Sequence, residues 1–336
     1  MNFFRVSSRH FLIIPAIFSL TVYARAIDPA NASPLPELPL ATINADSQKI
    51  KGRDGWYFLS TEIEHLLTAQ HQIPQVADAP AINEIRNYAD ALKALGIKLV
   101  LMPIPEKALI RMDGLIDAAQ LTDAKGYSRA TRAYLDELNK QGIEIIDLYD
   151  QLNQSSDPIY CKTDSHFTPK TGVRIAQCLI RHIAERSPEI PIQNKSADLE
   201  SQASISQITI KGDLAGAQEE ESLELHTAPK TAIPANQPGT ITKSPILLIG
   251  DSHLLVYNQG GDMHASGAGI VDHLSPALGY APDVISTKGD GINAPRTKLC
   301  RDLKKNPDLL KDKKLIIWCF AARNFSQQPW KKVGLP

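Results

Sequence analysis

Short apolar runs that alternate with helical segments constrain the fold of this chain most. Residues 98–103 form a buried-strand pattern, and residues 127–140 follow with helical spacing and a stop at Gly142. A second apolar run, residues 143–148, comes directly after that stop. A strand, a helix and a second strand at this spacing make a βαβ unit, which requires a parallel sheet. The sequence therefore predicts an α/β fold, with a mostly parallel sheet flanked by helices.

The remaining elements extend this pattern on both sides. Further helices are expected at 60–70, 80–95, 169–186, 265–278 and 295–305, and further strands at 246–249, 284–286 and 314–320. The dipeptide Asp54-Gly55 between strand-forming residues predicts a hairpin. Residues 194–238 are polar and irregular apart from a strand-like run at 207–210, and they include a Glu run at 219–221, so we expect a surface excursion or a small subdomain there.

A candidate nucleophile follows the apolar run at 246–249. The run ends at Gly250-Asp251-Ser252, and a glycine permits a tight turn that residues with a Cβ atom resist. Open α/β sheets place their sites at the carboxyl ends of the strands. Ser252 is therefore a candidate catalytic serine, and a serine that only caps a helix is the alternative.

A serine nucleophile needs a base and a third group that orients the base. Asp164 and His166 supply both on one loop, just before the helix that Thr168 and Pro169 are expected to begin. The carboxylate can hold one ring nitrogen of the imidazole while the other ring nitrogen faces the serine. A histidine that merely packs at the helix entry is the alternative. The sequence predicts a triad of Ser252, His166 and Asp164.

Three other histidines are alternative candidates for the base. His253 follows the serine directly, His264 lies in a glycine-rich loop, and His273 lies on a predicted helix. Structural roles are expected for His264 and His273. A metal site made of His166, His253 and His264 is an alternative, because histidine is a common ligand. Their spacing matches no known set of metal ligands, so no metal is expected.

The N-terminal residues have the layout of a secretory signal. Arg5 and Arg9 precede the apolar run 11–23, and Ala24-Arg25-Ala26 follows it. The run is short for a membrane span, which needs about 20 residues. We therefore expect a signal peptide at residues 1–26, with an uncleaved anchor as the alternative. A proline-rich linker at 27–48 then leads to a catalytic domain at 49–330.

The charge and the cysteine content limit the possible partners of the protein and the cellular compartment in which it works. Lys and Arg number 36 and Asp and Glu number 37, so the formal net charge of −1 favours no nucleic acid partner. Export permits disulfides, and four cysteines allow three pairings. The local pairs Cys161–Cys178 and Cys300–Cys319 are favoured, and four unpaired thiols are the alternative. Without a C-x-x-C motif, neither a structural zinc site nor thioredoxin chemistry is supported.

Five motifs occur in a fixed order along the chain. They are Gly52-x-Asp54-Gly55-Trp56-x-Phe58-Leu59, Pro105-x-Lys107, Thr163-Asp164-Ser165-His166-Phe167-Thr168-Pro169-x-x-Gly172, Gly250-Asp251-Ser252 and Trp318-x-x-x-x-Arg323. Together they resemble the alginate O-acetyltransferase family, the SGNH-hydrolase-like AlgJ and AlgX proteins, over residues 50–325. That family has a circularly permuted SGNH order in which Asp-x-His precedes the serine, as it does here.

The resemblance assigns roles to individual residues. It implies that Ser252 is the nucleophile, His166 the general base and Asp164 its orienting carboxylate. The backbone N–H of Ser252 is the expected oxyanion donor. Arg323 and Lys107 are candidates for holding a substrate oxygen, and a structural salt bridge is the alternative for each.

The resemblance also implies a function and a setting. It implies a periplasmic enzyme that carries an acetyl group on its serine and passes it to an exopolysaccharide, with no organic cofactor. A membrane-bound O-acyltransferase is the implied acetyl donor. A carbohydrate acetylesterase with the same triad and a non-catalytic scaffold of the polysaccharide machinery are the alternatives.

The chain departs from the family pattern at four places. Ser165 follows Asp164, Phe167 stands where the family usually has Trp, and His253 stands where small or apolar residues are commoner. The sequence also ends soon after Arg323, without the carbohydrate-binding module of the AlgX type. We therefore expect a closer likeness to the shorter AlgJ type.

Overall fold

The computed structural model describes six stretches of the chain. They are residues 48–116, 129–153, 156–216, 219–230, 235–236 and 238–336. The signal or anchor expected at 1–26 lies outside the described residues, as does all but the last residue of the linker expected at 27–48. Within the described stretches, no helix combines the length and the apolar character needed to cross a membrane.

The strands of the described residues form one parallel sheet and two hairpins. In chain order they are β1 (Lys49–Lys51), β2 (Tyr57–Leu59), β3 (Lys98–Ile104), β4 (Glu144–Ile145), β5 (Ser204–Lys211), β6 (Glu220–Thr227), β7 (Ile246–Gly250), β8 (Asp283–Ser286) and β9 (Leu315–Ala321). The sheet has the order β4-β3-β9-β7-β8, and every neighbouring pair in it is parallel. The predicted α/β class with a mostly parallel sheet is confirmed.

Helices cover both faces of this sheet. They are α1 (Ser60–Gln72), α2 (Pro80–Ala94), α3 (Lys107–Ile110), α4 (Arg129–Lys140), α5 (Tyr149–Asn153), α6 (Pro169–Arg186), α7 (Leu199–Gln202), α8 (Ile270–Leu278), α9 (Ala294–Lys305) and α10 (Asn324–Gln327). Alternate residues of β9 enter opposite cores: Ile317 packs in the cluster that contains α6 and α8, and Trp318 in the cluster that contains α2 and α9. Because both faces are buried, the strands are apolar throughout, and this explains their clear signal in the sequence.

Two predicted elements are shorter than expected. The strand expected at 143–148 is reduced to β4, since Asp147 accepts a hydrogen bond from the Tyr149 N–H and the chain turns there into α5. The helix expected at 265–278 begins only at Ile270. The carboxylate of Asp272 accepts from the Gly269 N–H at 2.9 Å and fixes that start.

The expected irregular excursion at 194–238 contains a regular hairpin. Strands β5 and β6 pair antiparallel from Ser204 opposite Thr227 to Lys211 opposite Glu220. Only Ile210 of β5 and His226 of β6 are buried. A hairpin with so little buried surface lacks a strong apolar alternation, so the sequence indicated only the strand-like run 207–210, which lies in β5.

The two favoured disulfide pairs are wrong, because all four cysteines are free. The sulfur of Cys161 lies 3.2 Å from the Tyr257 hydroxyl, and that of Cys178 faces Gln151. Cys319 belongs to the core on the α6 side of the sheet, whereas Cys300 lies on α9, which packs on the other side. Burial raises the pKa of the Cys161 and Cys319 thiols well above the ordinary value, so both stay neutral.

Candidate active site

Ser252 lies directly beyond the carboxyl end of β7. A Cβ atom on Gly250 would come within 2.1 Å of the Cys319 carbonyl oxygen, so only glycine lets β7 end this close to β9. Asp251 then fixes the turn, because its carboxylate accepts from the His253 N–H at 3.0 Å and from the Ala321 N–H at 2.8 Å. Ser252 is half-buried and begins a single 3₁₀ turn. Its N–H, at the start of that turn, remains the predicted oxyanion donor.

The structure brings Ser252, His166 and Asp164 into one hydrogen-bonded chain. Nε2 of His166 lies 2.8 Å from the Ser252 Oγ, across 86 residues of sequence. Nδ1 of His166 lies 2.6 Å from Asp164 Oδ1, which also accepts from the His166 backbone N–H at 2.9 Å. With Nδ1–H donating to the carboxylate, Nε2 is left as the acceptor for the serine proton.

The charges of His166 and Asp164 in this hydrogen-bonded triad suit a base and its counter-ion. Burial alone would lower the pKa of His166, but the hydrogen bond and the charge of Asp164 raise it above the ordinary value. Burial alone would raise the pKa of Asp164, but hydrogen bonds from His166 and His264 hold it well below its usual range. Asp164 is therefore ionised, and its charge stabilises the imidazolium that forms when His166 takes a proton.

Lys107 lies beneath the loop that carries Asp164 and His166. Its Nζ donates to the carbonyl oxygens of Lys162 at 3.0 Å and of Asp164 at 2.8 Å. The ammonium group is also 5.4 Å from the centre of the Trp56 ring. Burial lowers the pKa of Lys107 to about 8. These contacts favour support of the loop over the expected contact with substrate.

Arg323 lies just past β9, at the same edge of the sheet as Ser252. One guanidinium nitrogen is 3.5 Å from the Glu62 carboxylate, so the salt-bridge alternative is realised. About a fifth of the side chain, 21%, remains exposed. Arg323 therefore keeps enough accessible surface to remain a candidate for substrate contact.

The β5–β6 hairpin holds the triad loop through Glu221. The two oxygens of this carboxylate accept from the backbone N–H groups of Lys162 and Thr163, each at 2.9 Å, and from the Thr163 hydroxyl at 3.0 Å. Reasoning from the sequence missed this contact. The Glu run in an otherwise polar segment was its only visible signal, and such runs usually face solvent.

Asp213, in the connection between β5 and β6, holds the same loop from a second direction. Its carboxylate accepts from the N–H and the hydroxyl of Ser165 at 2.7 and 2.6 Å, and its own N–H donates to Asp164 Oδ2 at 3.0 Å. The approach is close enough that a Cβ atom on Gly212 would lie 2.0 Å from the Thr163 carbonyl oxygen. The predicted surface excursion is therefore part of the frame that positions Asp164 and His166.

Replacing Glu221 by Gln is expected to lower the free energy of unfolding by about 1–2 kcal/mol, because charge-assisted hydrogen bonds are lost. It should also slow ester cleavage, since the triad loop loses its clamp. Denaturant unfolding and a chromogenic acetyl ester measure the two effects. Glu220→Gln is the matched control, because Glu220 is exposed and makes a long ion pair, of 3.6 Å, with the equally exposed surface residue Lys211. Equal effects in the two variants would contradict the clamp.

His264 joins the site, contrary to the structural role expected for it. Its Nε2 lies 2.9 Å from Asp164 Oδ2, on the side of the carboxylate away from His166. The Asp-x-His spacing that ends at His264 was the signal in the sequence. His273 does have a structural position: its Nε2 donates to the His226 carbonyl oxygen at 3.0 Å, and burial lowers its pKa to about 4.

His253 forms a second carboxylate–imidazole pair beside the first. Its Nδ1 is 2.8 Å from Asp251 Oδ1, and its ring centre is 5.1 Å from that of His166. Burial lowers the pKa of His253, and the neighbouring charge of His166 lowers it further. His253 is therefore neutral, and it adds no charge that would oppose protonation of His166.

The metal alternative finds no support in these contacts. Both ring nitrogens of His166 face its triad partners, whereas Nδ1 of His253 faces Asp251 and Nε2 of His264 faces Asp164. Among the described residues, the group of three whose ligand atoms all lie within 4.8 Å of one another is Asp164, His166 and Asp213. The hydrogen bonds given above already engage all three of these groups, so a hydrogen-bond network accounts for the cluster.

Comparison with known proteins identifies one matching family and similar folds. A family model described as an SGNH hydrolase-like domain, acetyltransferase AlgX, matches residues 50–322. The O-acetyltransferase domain of Pseudomonas putida AlgJ is similar, with a TM-score of 0.56 at 19% identity over 84% of this chain and 93% of that one. Pseudomonas aeruginosa AlgX has a TM-score of 0.56 at 17% identity over 88% of this chain and 70% of that one. No curated protein matches the chain. The family match and the shared fold confirm the predicted SGNH-hydrolase-like architecture.

Proposed function

Because this chain belongs to the AlgJ/AlgX family of SGNH hydrolase-like acetyltransferases, we propose that it acetylates hydroxyl groups of an exopolysaccharide through an acetyl-serine at Ser252. The resemblance indicated by the five motifs is confirmed. The likeness to the shorter AlgJ type agrees with the larger share of that chain that is covered, 93% against 70% for AlgX. The single observation that carries the proposal is the hydrogen-bonded chain from Ser252 through His166 to Asp164.

The first half of the reaction loads the serine. His166 Nε2 takes the hydroxyl proton of Ser252 while Oγ attacks the carbonyl carbon of the donor's acetyl group. The negative charge that develops on the carbonyl oxygen faces the Ser252 N–H, and oxyanion donors of this kind contribute about 3–4 kcal/mol in serine enzymes. The bond to the donor's leaving oxygen then breaks, and His166 returns the proton to it.

The second half transfers the acetyl group to the acceptor. A sugar hydroxyl gives its proton to His166 as its oxygen attacks the acetyl-serine carbonyl. Collapse of this intermediate releases the acetylated sugar, and His166 protonates the Ser252 Oγ. The ionised Asp164 stabilises the protonated His166 in both halves, and the acetyl group is carried on the protein, so no organic cofactor is required.

The proposed setting is the periplasm. Export would follow from the signal or anchor at residues 1–26, and an uncleaved anchor would tether the enzyme to the inner membrane. The acetyl donor that we propose is a membrane-bound O-acyltransferase, because the periplasm offers no obvious pool of acetyl-CoA. An alginate-like polymer is the proposed acceptor, on the strength of the family alone.

A carbohydrate acetylesterase is the second candidate function. It would use the same residues, and water would take the place of the acceptor hydroxyl. Ser252 is partly exposed, and a serine that water can reach favours hydrolysis of the acetyl-serine.

A partitioning experiment separates the two functions. The protein is given an aryl acetate as donor, with and without an alginate-type oligosaccharide. Free acetate and acetylated sugar are then quantified by chromatography and mass spectrometry. We expect the oligosaccharide to divert acetyl groups from water to the sugar, and Ser252→Ala to form neither product. Efficient release of acetate that no sugar acceptor diverts would contradict the transferase.

A further inference from the structure

The Asp164 carboxylate binds a histidine on each of its two oxygens. Oδ1 faces His166 Nδ1 at 2.6 Å, and Oδ2 faces His264 Nε2 at 2.9 Å. Oδ2 also accepts from the Asp213 N–H at 3.0 Å. Asp164 is 1% exposed, and the side chain of His264 is 9% exposed. His264 is therefore nearly as shielded from solvent as His166, whose side chain is 5% exposed.

The backbone around His264 fixes its ring in this position. His264 has a φ of 69°, which is rare for a residue with a side chain. Hydrogen bonds on both sides of it hold that conformation: the His264 N–H donates to the Gly261 carbonyl at 3.0 Å, and the Tyr257 N–H donates to the Met263 carbonyl at 2.9 Å. The ring also lies 5.9 Å from the Tyr257 ring, centre to centre. An unfavourable φ at a residue that contacts the triad is typical of a functional constraint.

We propose that His264 is a positioning residue that acts through Asp164: its Nε2–H donates to Oδ2 and sets the orientation and the charge of the carboxylate that supports His166. The inference rests on the proposed function, because it assigns a role in the same reaction. His264 does not touch the reacting atoms, since Asp164 and His166 lie between it and Ser252. The contact of His264 differs from those within the triad because it is made to Oδ2 of Asp164, whereas His166 contacts Oδ1.

Removal of the His264 donor has a definite electrostatic consequence. The charge on Oδ2 is then less well stabilised, so Asp164 holds the proton of His166 more strongly. His166 must be neutral to accept the serine proton, and its pKa is already raised above 6.5 by Asp164. A further rise shifts the acid limb of kcat/KM to higher pH. The carboxylate also becomes freer to rotate, and the rate falls even where His166 is neutral.

The test compares His264→Ala, which removes the donor, with His264→Gln, whose amide N–H2 can reach the same oxygen. For cleavage of an aryl acetate we expect His264→Ala to lower kcat/KM about tenfold, which corresponds to about 1.4 kcal/mol, with KM nearly unchanged. The pH midpoint of the acid limb of its kcat/KM profile, called the midpoint below, should lie above that of the wild type. His264→Gln should recover most of the rate and return the midpoint toward the wild-type value.

Asp262→Asn is the matched control in the same turn. The Asp262 carboxylate is exposed, and its two oxygens accept from Lys288 Nζ at 2.7 and 2.6 Å. It should change neither the rate nor the midpoint. If His264→Ala does not fold, His264→Asn takes its place, because the shorter amide falls short of Oδ2. Wild-type rate and midpoint in His264→Ala or His264→Asn would overturn the proposal. A loss of kcat/KM in His264→Ala that His264→Gln does not reverse would overturn it as well.

A spectroscopic measurement keeps this inference separate from the proposed function. The proton between His166 Nδ1 and Asp164 gives a downfield NMR signal whether or not the protein turns over an ester. We expect this signal to move in His264→Ala and to return in His264→Gln. An unmoved signal would overturn the role of His264. Failure of the wild-type protein to cleave any acetyl ester while the signal responds as expected would instead contradict the proposed function alone.

Discussion

Replacement of Ser252 by Ala is expected to abolish acetyl transfer, with a loss in kcat of about 10⁶-fold, as in other serine triads that lose their nucleophile. The Ser252 Oγ is the atom that faces His166 Nε2 at 2.8 Å, and alanine leaves no oxygen to attack the donor. The fold should survive, because Ser252 is half-buried and the turn is held by Asp251 and not by the serine hydroxyl. Cleavage of an aryl acetate and acetylation of the polymer in cells measure the loss.

Ser286→Ala is the matched control for this variant. Ser286 ends the neighbouring strand β8, and its hydroxyl donates to the Gly250 carbonyl at 3.1 Å and to the Asp251 carbonyl at 2.5 Å. It should keep most of the activity. Polymer acetylation that persists unchanged in Ser252→Ala cells would make Ser252 a capping residue. It would also leave the scaffold alternative as the better account of the protein.

Asp164→Asn is expected to lower kcat about 10⁴-fold while the fold is preserved. An amide in place of the carboxylate can present N–H to His166 Nδ1, and the imidazole then takes the tautomer that carries its proton on Nε2. That tautomer cannot accept the proton of Ser252. The imidazolium would also lose the charge that stabilises it. Pre-steady-state cleavage of an aryl acetate, with circular dichroism as a check of folding, measures the effect.

The second carboxylate–imidazole pair provides the matched control for Asp164. Asp251 and His253 have nearly the same geometry, with 2.8 Å between Oδ1 and Nδ1, and lie on either side of Ser252 in the sequence. His166, and not His253, faces the Ser252 Oγ. Asp251→Asn keeps an amide oxygen that can still accept one of the two backbone N–H groups of the turn, so it should have a far smaller effect on the rate. If Asp164→Asn stays within about tenfold of the wild type, the assigned orienting carboxylate is wrong.

The parts of the fold that were predictable are those with strong local signals. Strands β3, β7 and β9 are buried on both faces, so their apolar runs stand out. Helix α6 begins and ends as expected, because Thr168 and Pro169 mark its start in the sequence and the Thr168 hydroxyl accepts from the Thr171 N–H at 3.4 Å. The order of Asp164, His166 and Ser252 also followed from local motifs. Their proximity required the fold.

The parts that were not predictable depend on contacts between distant, polar residues. Glu221 lies 58 residues from Thr163, and His264 lies 100 residues from Asp164, and neither contact leaves a periodic pattern. The hairpin that carries Glu221 is mostly exposed, so burial gave no signal for it either. The cysteine pairing failed for a related reason. The separation of Cys300 from Cys319 by the sheet depends on which face each element packs against, and a short sequence distance does not reveal that.

Trapping of the intermediate tests the central claim most directly. The protein is mixed with an aryl acetate, quenched in acid within the turnover time and digested, and the peptide that contains Ser252 is examined by mass spectrometry. The account predicts an acetyl-sized mass increase on Ser252 in the wild type. It also predicts that the acetyl-serine accumulates in His166 variants whose release of the acetyl group is slowed more than its loading onto Ser252. Release of acetate with acetyl groups on another residue, or with Ser252 never modified, would contradict an acetyl-serine mechanism.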